Sequence, residues 1–187
     1  MFLYLILIML MKNENLFATP IWTHKLDKET NDNIKREIVD YQKNTNLFDL
    51  DTSGIKKLKN TIIEAYDSIA IDHHFMQYYG VLHGRVNVIG YGGNDTPHNH
   101  IGKVLVGVYY VQTGKNMGDI LLHDPRGGVN WQNLNFDPQE SDPSKTCRTY
   151  HRIKPEDGYL ILFPSYLVHS VETNLTQQDR ISIVINI

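Results

Sequence analysis

Three histidines and one arginine are the residues of this chain best suited to do chemistry together. His98 and His100 lie two positions apart, and His169 and Arg180 follow further along the chain. Imidazole is the commonest metal ligand, and two neighbouring ligands with a distant third are typical of a folded metal site. The pattern predicts a metal bound by His98, His100 and His169, with the cation Arg180 beside it.

The spacing of the first two histidines suits an extended backbone, because side chains two residues apart project from the same face of a strand. β-Branched and aromatic runs at 85–91 and 103–111 flank a turn-rich segment. They predict two strands, with the histidines where a loop enters the second. His169 likewise begins an extended segment, 169–173, after an apolar strand, 158–164, that ends at a proline.

The last segment of the chain alternates in polarity. Every second residue of 180–187 is isoleucine, whereas Arg180, Ser182, Val184 and Asn186 share the other face. An arginine and a serine directed into a barrel would be costly to bury unless an anion met them there. A dicarboxylate such as 2-oxoglutarate would meet this requirement.

Several segments resemble, in order and spacing, the 2-oxoglutarate/Fe(II) oxygenases of phages and marine bacteria. They are 97–100, 106–111, 124–126, 163–171 and 180–183, and 16–22 resembles the usual opening of that family. The resemblance implies a mainly β fold with flanking helices (α+β), namely a double-stranded β-helix or jelly-roll barrel with the N-terminal helices packed outside.

The resemblance also implies an activity and a co-substrate site. The chain would be an Fe(II)-dependent dioxygenase that uses 2-oxoglutarate and dioxygen. It would hydroxylate a C–H bond of a peptidyl or small-molecule substrate, with release of succinate and CO2. Arg180 and Ser182 would hold one end of 2-oxoglutarate, and Asn87, Tyr91 and Tyr109 are candidates for the other end.

One position departs from the superfamily pattern. Most members carry a carboxylate two residues after the first histidine, where this chain has His100. Three neutral imidazoles leave a divalent ion with its full charge, so such a site should hold anions more tightly. The alternative is that Asp95, Asp119 or Asp124 supplies a carboxylate ligand and His100 supports the ligands or contacts substrate.

Two other functions remain open for the same barrel. A cupin-type metal dioxygenase or isomerase would use the three histidines without 2-oxoglutarate, and would not need Arg180 and Ser182 inside the barrel. A non-catalytic metal or small-molecule binding module would keep the fold without turnover.

Length and composition favour one domain. The 187 residues, of which 41% are hydrophobic, are enough for one buried core. The net charge of -3 is spread along the chain, so we expect no nucleic-acid partner. A single cysteine, Cys147, cannot form an intramolecular disulfide and favours a cytoplasmic location. A homodimer is compatible with these features.

The first eleven residues are set apart by their apolar character. A membrane span needs about 20 such residues, and a secretory signal would show a basic start and a small-residue cleavage site. We therefore expect no membrane partner. The expected organisation is an N-terminal tail at 1–11, from an over-extended reading frame or as a frayed or docked end, with an N-terminal anchor as the lesser alternative, followed by a single oxygenase-like domain at 12–187.

Two helices are predicted between the tail and the barrel. Asp27 would cap a helix that extends to residue 43, and Ser53 would cap a second helix over 55–79. Each helix has an apolar stripe, which predicts packing on the outer face of the barrel, against the isoleucines of the last strand.

The longest irregular stretch, 127–144, is rich in Asn, Asp, Gly and Pro and includes Trp131 and Phe136. Such an insertion is typical either of a lid over a pocket or of a surface loop pinned by its aromatic residues. Arg126, in the turn before it, is interpreted as a substrate contact or as one half of a structural ion pair.

Overall fold

Nine strands and two helices make up the part of the chain that the structure describes. This computed structural model describes residues 18–39, 41, 45–73, 80, 82–126 and 150–187. The helices are α1, Lys28–Glu37, and α2, Ser53–Asp72, with a 3-10 turn at Leu47–Asp49. The strands are β1 Trp22–Lys25, β2 His83–Ile89, β3 Asp95–His98, β4 Leu105–Gln112, β5 Ile120–His123, β6 Tyr150–Ile153, β7 Tyr159–Pro164, β8 His169–Val171 and β9 Arg180–Asn186.

The strands form two antiparallel sheets that face each other. The larger sheet has the order β1-β7-β4-β9-β2, and the smaller has the order β3-β8-β5-β6. Neighbours in both sheets are mostly distant in sequence, as in a jelly roll. This architecture confirms the predicted double-stranded β-helix with helices outside it.

The larger sheet separates two apolar cores. Its outer face packs against both helices, in a cluster that includes Ile34, Ile55, Leu58, Ile62, Leu105, Leu160, Ile183 and Ile185. Its inner face meets the smaller sheet in a second cluster, which includes Val106, Val108, Tyr110, Ile120, Leu122, Ile161 and Phe163. Successive residues of β4, β7 and β9 thus alternate between the helices and the barrel interior. The isoleucines of β9 lie on the helix side, as predicted.

The first helix begins where the sequence predicts. The side chain of Asp27 accepts a hydrogen bond from the backbone N–H of Thr30 at 2.7 Å, which satisfies a donor of the first turn. The helix ends at Glu37 and not at residue 43. The next two residues, Ile38 and Val39, are β-branched and have lower helix propensity.

The cap of α2 comes from α1 and not from Ser53. The N-cap residue is Thr52, which makes no side-chain capping hydrogen bond. Instead, the Glu37 carboxylate accepts from the backbone N–H groups of Gly54 and Ile55, both at 3.0 Å. It also accepts from the hydroxyls of Thr52 and Ser53. An anion at this end of α2 offsets the partial positive charge of the helix N-terminus.

Other sequence predictions fall outside the described residues. They are the tail at 1–11, the continuation of α2 over 74–79, Trp131 and Phe136 of the predicted lid, and Cys147. The division of the chain into a tail and one domain therefore stays a prediction. Among the described residues, no helix has the length and apolar character that a membrane span requires.

We expect Glu37→Ala to lower the free energy of unfolding by about 1 to 3 kcal/mol, because two N-terminal N–H groups of α2 would lose their acceptor. Urea unfolding followed by circular dichroism measures this change. Glu64→Ala is the matched control, since Glu64 lies on the exposed face of α2 and alanine suits a helix interior. Equal destabilisation by the two variants would contradict the capping role.

Candidate active site

The three predicted histidines meet between the two sheets. His98, the last residue of β3, is paired with His169, the first residue of β8, and their ring centroids are 4.4 Å apart. The ring of His100, just past the end of β3, lies 5.3 Å from that of His98 and 5.2 Å from that of His169. One nitrogen of each ring lies within 4.8 Å of the others. They are close enough for a single ion to contact all three.

Each imidazole is oriented by a hydrogen bond at Nδ1. The acceptors are the Thr96 carbonyl for His98 at 2.7 Å, the Leu167 carbonyl for His169 at 3.0 Å, and Oδ1 of Asn186 for His100 at 2.6 Å. A ring that donates from Nδ1 presents the lone pair of Nε2 as a metal ligand. Nε2 of His100 is buried and has no hydrogen-bond partner among the described residues. The donor set therefore fits a divalent cation.

Burial favours the neutral form of two of the three histidines, His169 and His100. It lowers the pKa of His169 to about 4, against the opposing effect of the hydrogen bond to Leu167. Burial also lowers the pKa of His100, although the hydrogen bond to Asn186 raises it in part. Neutral imidazole is the form that binds metal, so this environment prepares the cluster for an ion at neutral pH.

Backbone hydrogen bonds hold the histidine-bearing segments together. The N–H of His100 donates to the carbonyl of Ser165 at 3.0 Å, and the N–H of Ser165 donates to the carbonyl of Val104 at 3.1 Å. At the other end of β8, the buried side chain of Asn174 donates to the carbonyl of Ile89 at 2.9 Å. The ligand geometry thus rests on contacts between loops that are far apart in sequence.

One pocket on the inner face of the larger sheet joins the predicted groups. It is lined by Arg85, Asn87, Asp95, His98, His100, Val108, Ile120, His169, Val171, Arg180, Ser182 and Val184. The structure thus brings together His98, His100, His169, Arg180, Ser182 and Asn87 from the predicted set.

Arg180 is buried in this pocket with most of its guanidinium unpaired. Its exposed fraction is 1%, and Nη1 donates to Oγ of Ser182 at 3.2 Å. Nε and Nη2 have no hydrogen-bond partner in the described part of the chain. Burial lowers the pKa of Arg180, but a guanidinium keeps its charge in proteins. A buried cation with two available donors fits a carboxylate.

Tyr110 faces Arg180 from β4, whereas the residue predicted for the site from the sequence is its neighbour Tyr109. The guanidinium carbon lies 5.1 Å from the centroid of the Tyr110 ring. Burial raises the pKa of Tyr110, with an opposing effect from Arg180, so its hydroxyl remains protonated and able to donate. Tyr109 points to the helices, and its hydroxyl donates to Oδ1 of Asn31 at 2.8 Å. The expectation for Tyr109 is corrected because adjacent strand residues face opposite sides.

The other two candidates for the far end of the co-substrate lie in different environments. Asn87 lines the pocket opposite Ser182 and donates through Nδ2 to Oδ2 of Asp95 at 3.0 Å. Tyr91 lies in the turn after β2, is 66% exposed and is not among the residues that line the pocket. Asn87 therefore lies in the pocket with Arg180 and Tyr91 does not line it, and the role of Asn87 towards the co-substrate stays a prediction.

The three aspartates considered as alternative ligands are outside the group of histidines that could hold a metal. Asp95 is in the pocket, as described above. The Asp124 carboxylate accepts from Nε and Nη2 of Arg126 at 2.9 and 2.7 Å, which favours the ion-pair interpretation of that arginine. Asp119 lies 3.6 Å from Nη1 of Arg152. These contacts favour His100 as the third ligand.

Three residues at the site were not predicted from the sequence. Asn186 shares a face with Arg180 and Ser182, and Arg85 shares a face with Asn87, so strand parity could have found both. Tyr110 gave no such signal. It belongs to a strand whose first seven residues are all buried, and alternation is absent there.

Solved structures share the fold at low sequence identity. A prolyl-4-hydroxylase from Pseudomonas putida matches with a TM-score of 0.61 and 11% identity, over 90% of this chain and 84% of that one. The non-heme α-ketoglutarate-dependent epimerase SnoN from nogalamycin biosynthesis gives 0.61 and 12%, over 90% and 76%. AviO1 from Streptomyces viridochromogenes Tue57 gives 0.57 and 12%, over 90% and 89%. At such identities these matches show the double-stranded β-helix fold alone.

Sequence comparison identifies the family. No curated protein matches the chain. The model of the family described as "Putative 2OG-Fe(II) oxygenase" matches residues 86–186, more than half of the 187 residues. The matched region contains the three histidines and the buried arginine of the pocket. The chain therefore belongs to the 2-oxoglutarate/Fe(II) oxygenase family.

Proposed function

We propose that this oxygenase binds Fe(II) through His98, His100 and His169 and binds 2-oxoglutarate through Arg180. The observation that carries the proposal is the buried Arg180 guanidinium in the pocket of the three histidines, two of whose donors have no partner among the described residues. When bound, Fe(II) supplies the activation of dioxygen that is coupled to decarboxylation of 2-oxoglutarate to succinate and CO2.

The chain's own groups would orient the co-substrate. Nε and Nη2 of Arg180 form a planar pair of donors suited to one carboxylate, and the Tyr110 hydroxyl offers a further donor. Ser182 holds the guanidinium in place through Nη1. The opposite carboxylate of 2-oxoglutarate would then be directed along the pocket towards the histidines.

Apolar side chains limit the water around these groups. Val108, Ile120, Val171 and Val184 line the pocket between the polar residues. Exclusion of water strengthens hydrogen bonds to the bound carboxylates and protects reactive species from side reactions. The pocket is therefore suited to oxidation of a C–H bond, in a peptidyl or small-molecule substrate.

The cupin-type alternative leaves part of the pocket without a function. A metal enzyme without 2-oxoglutarate would bury the Arg180 guanidinium with two donors unmet, which is costly. A non-catalytic binding module is disfavoured by the family assignment.

Location and association rest on sequence features alone. We place the protein in the cytoplasm, or in the host cytoplasm if it is phage-encoded, because one cysteine and ferrous iron suit a reducing compartment. The absence of a nucleic-acid partner and the homodimer stay predictions.

Arg180→Ala is expected to raise the KM for 2-oxoglutarate about 100-fold or more, because two charge-assisted hydrogen bonds are lost. Tyr110→Phe should raise it about 3- to 10-fold, since one neutral donor is lost. Succinate formation by anaerobically iron-loaded protein after exposure to dioxygen measures both effects. Tyr109→Phe is the matched control and should stay within about twofold of the unsubstituted protein. Equal turnover by the unsubstituted protein and by Arg180→Ala would contradict the assignment of Arg180 to the 2-oxoglutarate site.

His98→Ala and His169→Ala are expected to abolish Fe(II) binding, and His100→Ala to weaken it, in anaerobic titration calorimetry. Asn186→Leu should lower the affinity about 10- to 100-fold, because the Nδ1 group of His100 loses the acceptor that orients the ring.

The control for this series is Asp124→Asn, whose carboxylate is paired with Arg126, and which should bind Fe(II) like the unsubstituted protein. If Asp95→Asn abolished binding while His100→Ala had no effect, the third ligand would be an aspartate.

The metal-free protein is expected to lose stability as the pH falls from about 6.5 towards 4. His169 binds a proton near pH 6.5 when unfolded and only near pH 4 when folded. The unfolded state therefore binds more protons than the folded state in this pH window. Protonation of His169 in the unfolded state lowers the free energy of unfolding by about 3 kcal/mol. Thermal unfolding at a series of pH values measures the loss.

His169→Gln, which cannot be protonated, should flatten this pH dependence. His24→Gln, at an exposed position of β1, should leave it unchanged. The same slope in the His169 variant and the unsubstituted protein would show that this histidine is not buried in its neutral form.

A further inference from the structure

A second arginine lines the pocket and has no role in binding Fe(II) or 2-oxoglutarate in the proposed site. Arg85 lies on β2, on the same face as Asn87, and is paired with Val184 of β9. It is exposed, whereas Arg180 is buried. Since β2 is an edge strand of the larger sheet, Arg85 stands at the open side of the pocket.

Arg85 differs from the other arginines in the described part of the chain. Arg36 donates to Asn33, Arg126 to Asp124, Arg152 to Glu172, and Arg180 to Ser182. Arg85 alone among the described arginines has neither a hydrogen bond nor an ion pair with a described residue. None of its five N–H donors is therefore taken up by a described residue.

Arg85 is also separated from the proposed co-substrate anchor. Along β9, the residue paired with Arg85 is four positions beyond Arg180, which corresponds to roughly 13 Å of strand. Val184, the residue paired with Arg85, is instead two positions from Asn186, whose side chain accepts the hydrogen bond from Nδ1 of His100. The position of Arg85 is thus near the metal ligands and far from the buried end of the pocket.

The formal charges of the pocket favour an additional anion. The pocket contains two arginines and one aspartate, Asp95, and three neutral histidines leave the charge of a divalent ion uncancelled. Binding of dianionic 2-oxoglutarate leaves one positive charge. A single carboxylate would balance it, and its two oxygens match the planar donors of an arginine.

We propose that Arg85 determines substrate specificity by binding a carboxylate of the primary substrate, which is therefore an organic acid. This inference rests on the proposed function, because it takes the buried end of the pocket as the 2-oxoglutarate site. The carboxylate at Arg85 holds the substrate at the open side of the pocket, with a C–H bond directed towards the histidines.

The test compares acids with their uncharged amides. N-acetylleucine with N-acetylleucinamide, and N-acetyltyrosine with N-acetyltyrosinamide, are suitable probes because exposed Ile101 and Tyr166 flank the segment of His100. Saturation-transfer NMR with metal-loaded protein and saturating 2-oxoglutarate gives the affinity of each probe. We expect the acids to bind about tenfold more tightly than the amides, and Arg85→Gln to reduce this preference to within about twofold.

Arg36→Gln is the matched control, since it removes an exposed arginine on α1, and should keep the preference for acids. Arg85→Lys should keep part of it. No preference in the unsubstituted protein, or an unchanged preference in Arg85→Gln, would overturn the inference. So would a loss of 2-oxoglutarate affinity in Arg85→Gln as large as that in Arg180→Ala. Failure of the proposed function would be seen in a different measurement, because the iron-loaded unsubstituted protein would then form no succinate from 2-oxoglutarate.

Discussion

The register of β9 is the constraint on which both the core and the pocket depend. This strand is paired on both sides, with Val184 opposite Arg85 of β2 and opposite Val108 of β4. A slip of one residue would send the isoleucines into the pocket and Arg180 into the helix-facing core. Burial of the isoleucine face thus fixes the face that carries Arg180, Ser182 and Asn186. The strand register that folding requires is therefore the same register that assembles the site.

The parts of the site that could be predicted are those where local pattern and environment agree. β9 has one face towards the helices and one towards a polar pocket, so apolar and polar residues alternate along it. The residues that face the pocket can therefore be identified from the sequence. In β4 both faces are buried, so Tyr109 and Tyr110 look equivalent in sequence. Only the pairing of Tyr110 with Ser182 shows which one lies on the inner face, beside Arg180.

Long-range contacts account for the other differences between sequence and structure. Ser53 looks like a helix cap, but the acceptor at that position is Glu37, sixteen residues earlier in the chain. The turn-rich segment before His98 includes Pro97 and yet forms β3, because β8 provides its pairing partner. Proline is tolerated there since β3 is an edge strand. Neither contact has a signature in the local sequence.

In the proposed site, His100 is a metal ligand where most of the superfamily carries a carboxylate, and this change affects the charge of the whole pocket. A carboxylate ligand would cancel one positive charge of the ion, whereas an imidazole cancels none. The aspartate that lines the pocket, Asp95, accepts from Asn87 and lies outside the histidine group. At one end of β9, Asn186 orients His100, and at the other, two donors of Arg180 have no partner among the described residues. In the proposed site, one strand therefore positions both the ligand that leaves the charge of the ion uncancelled and the cation that receives an anion, and this favours anionic ligands in the barrel.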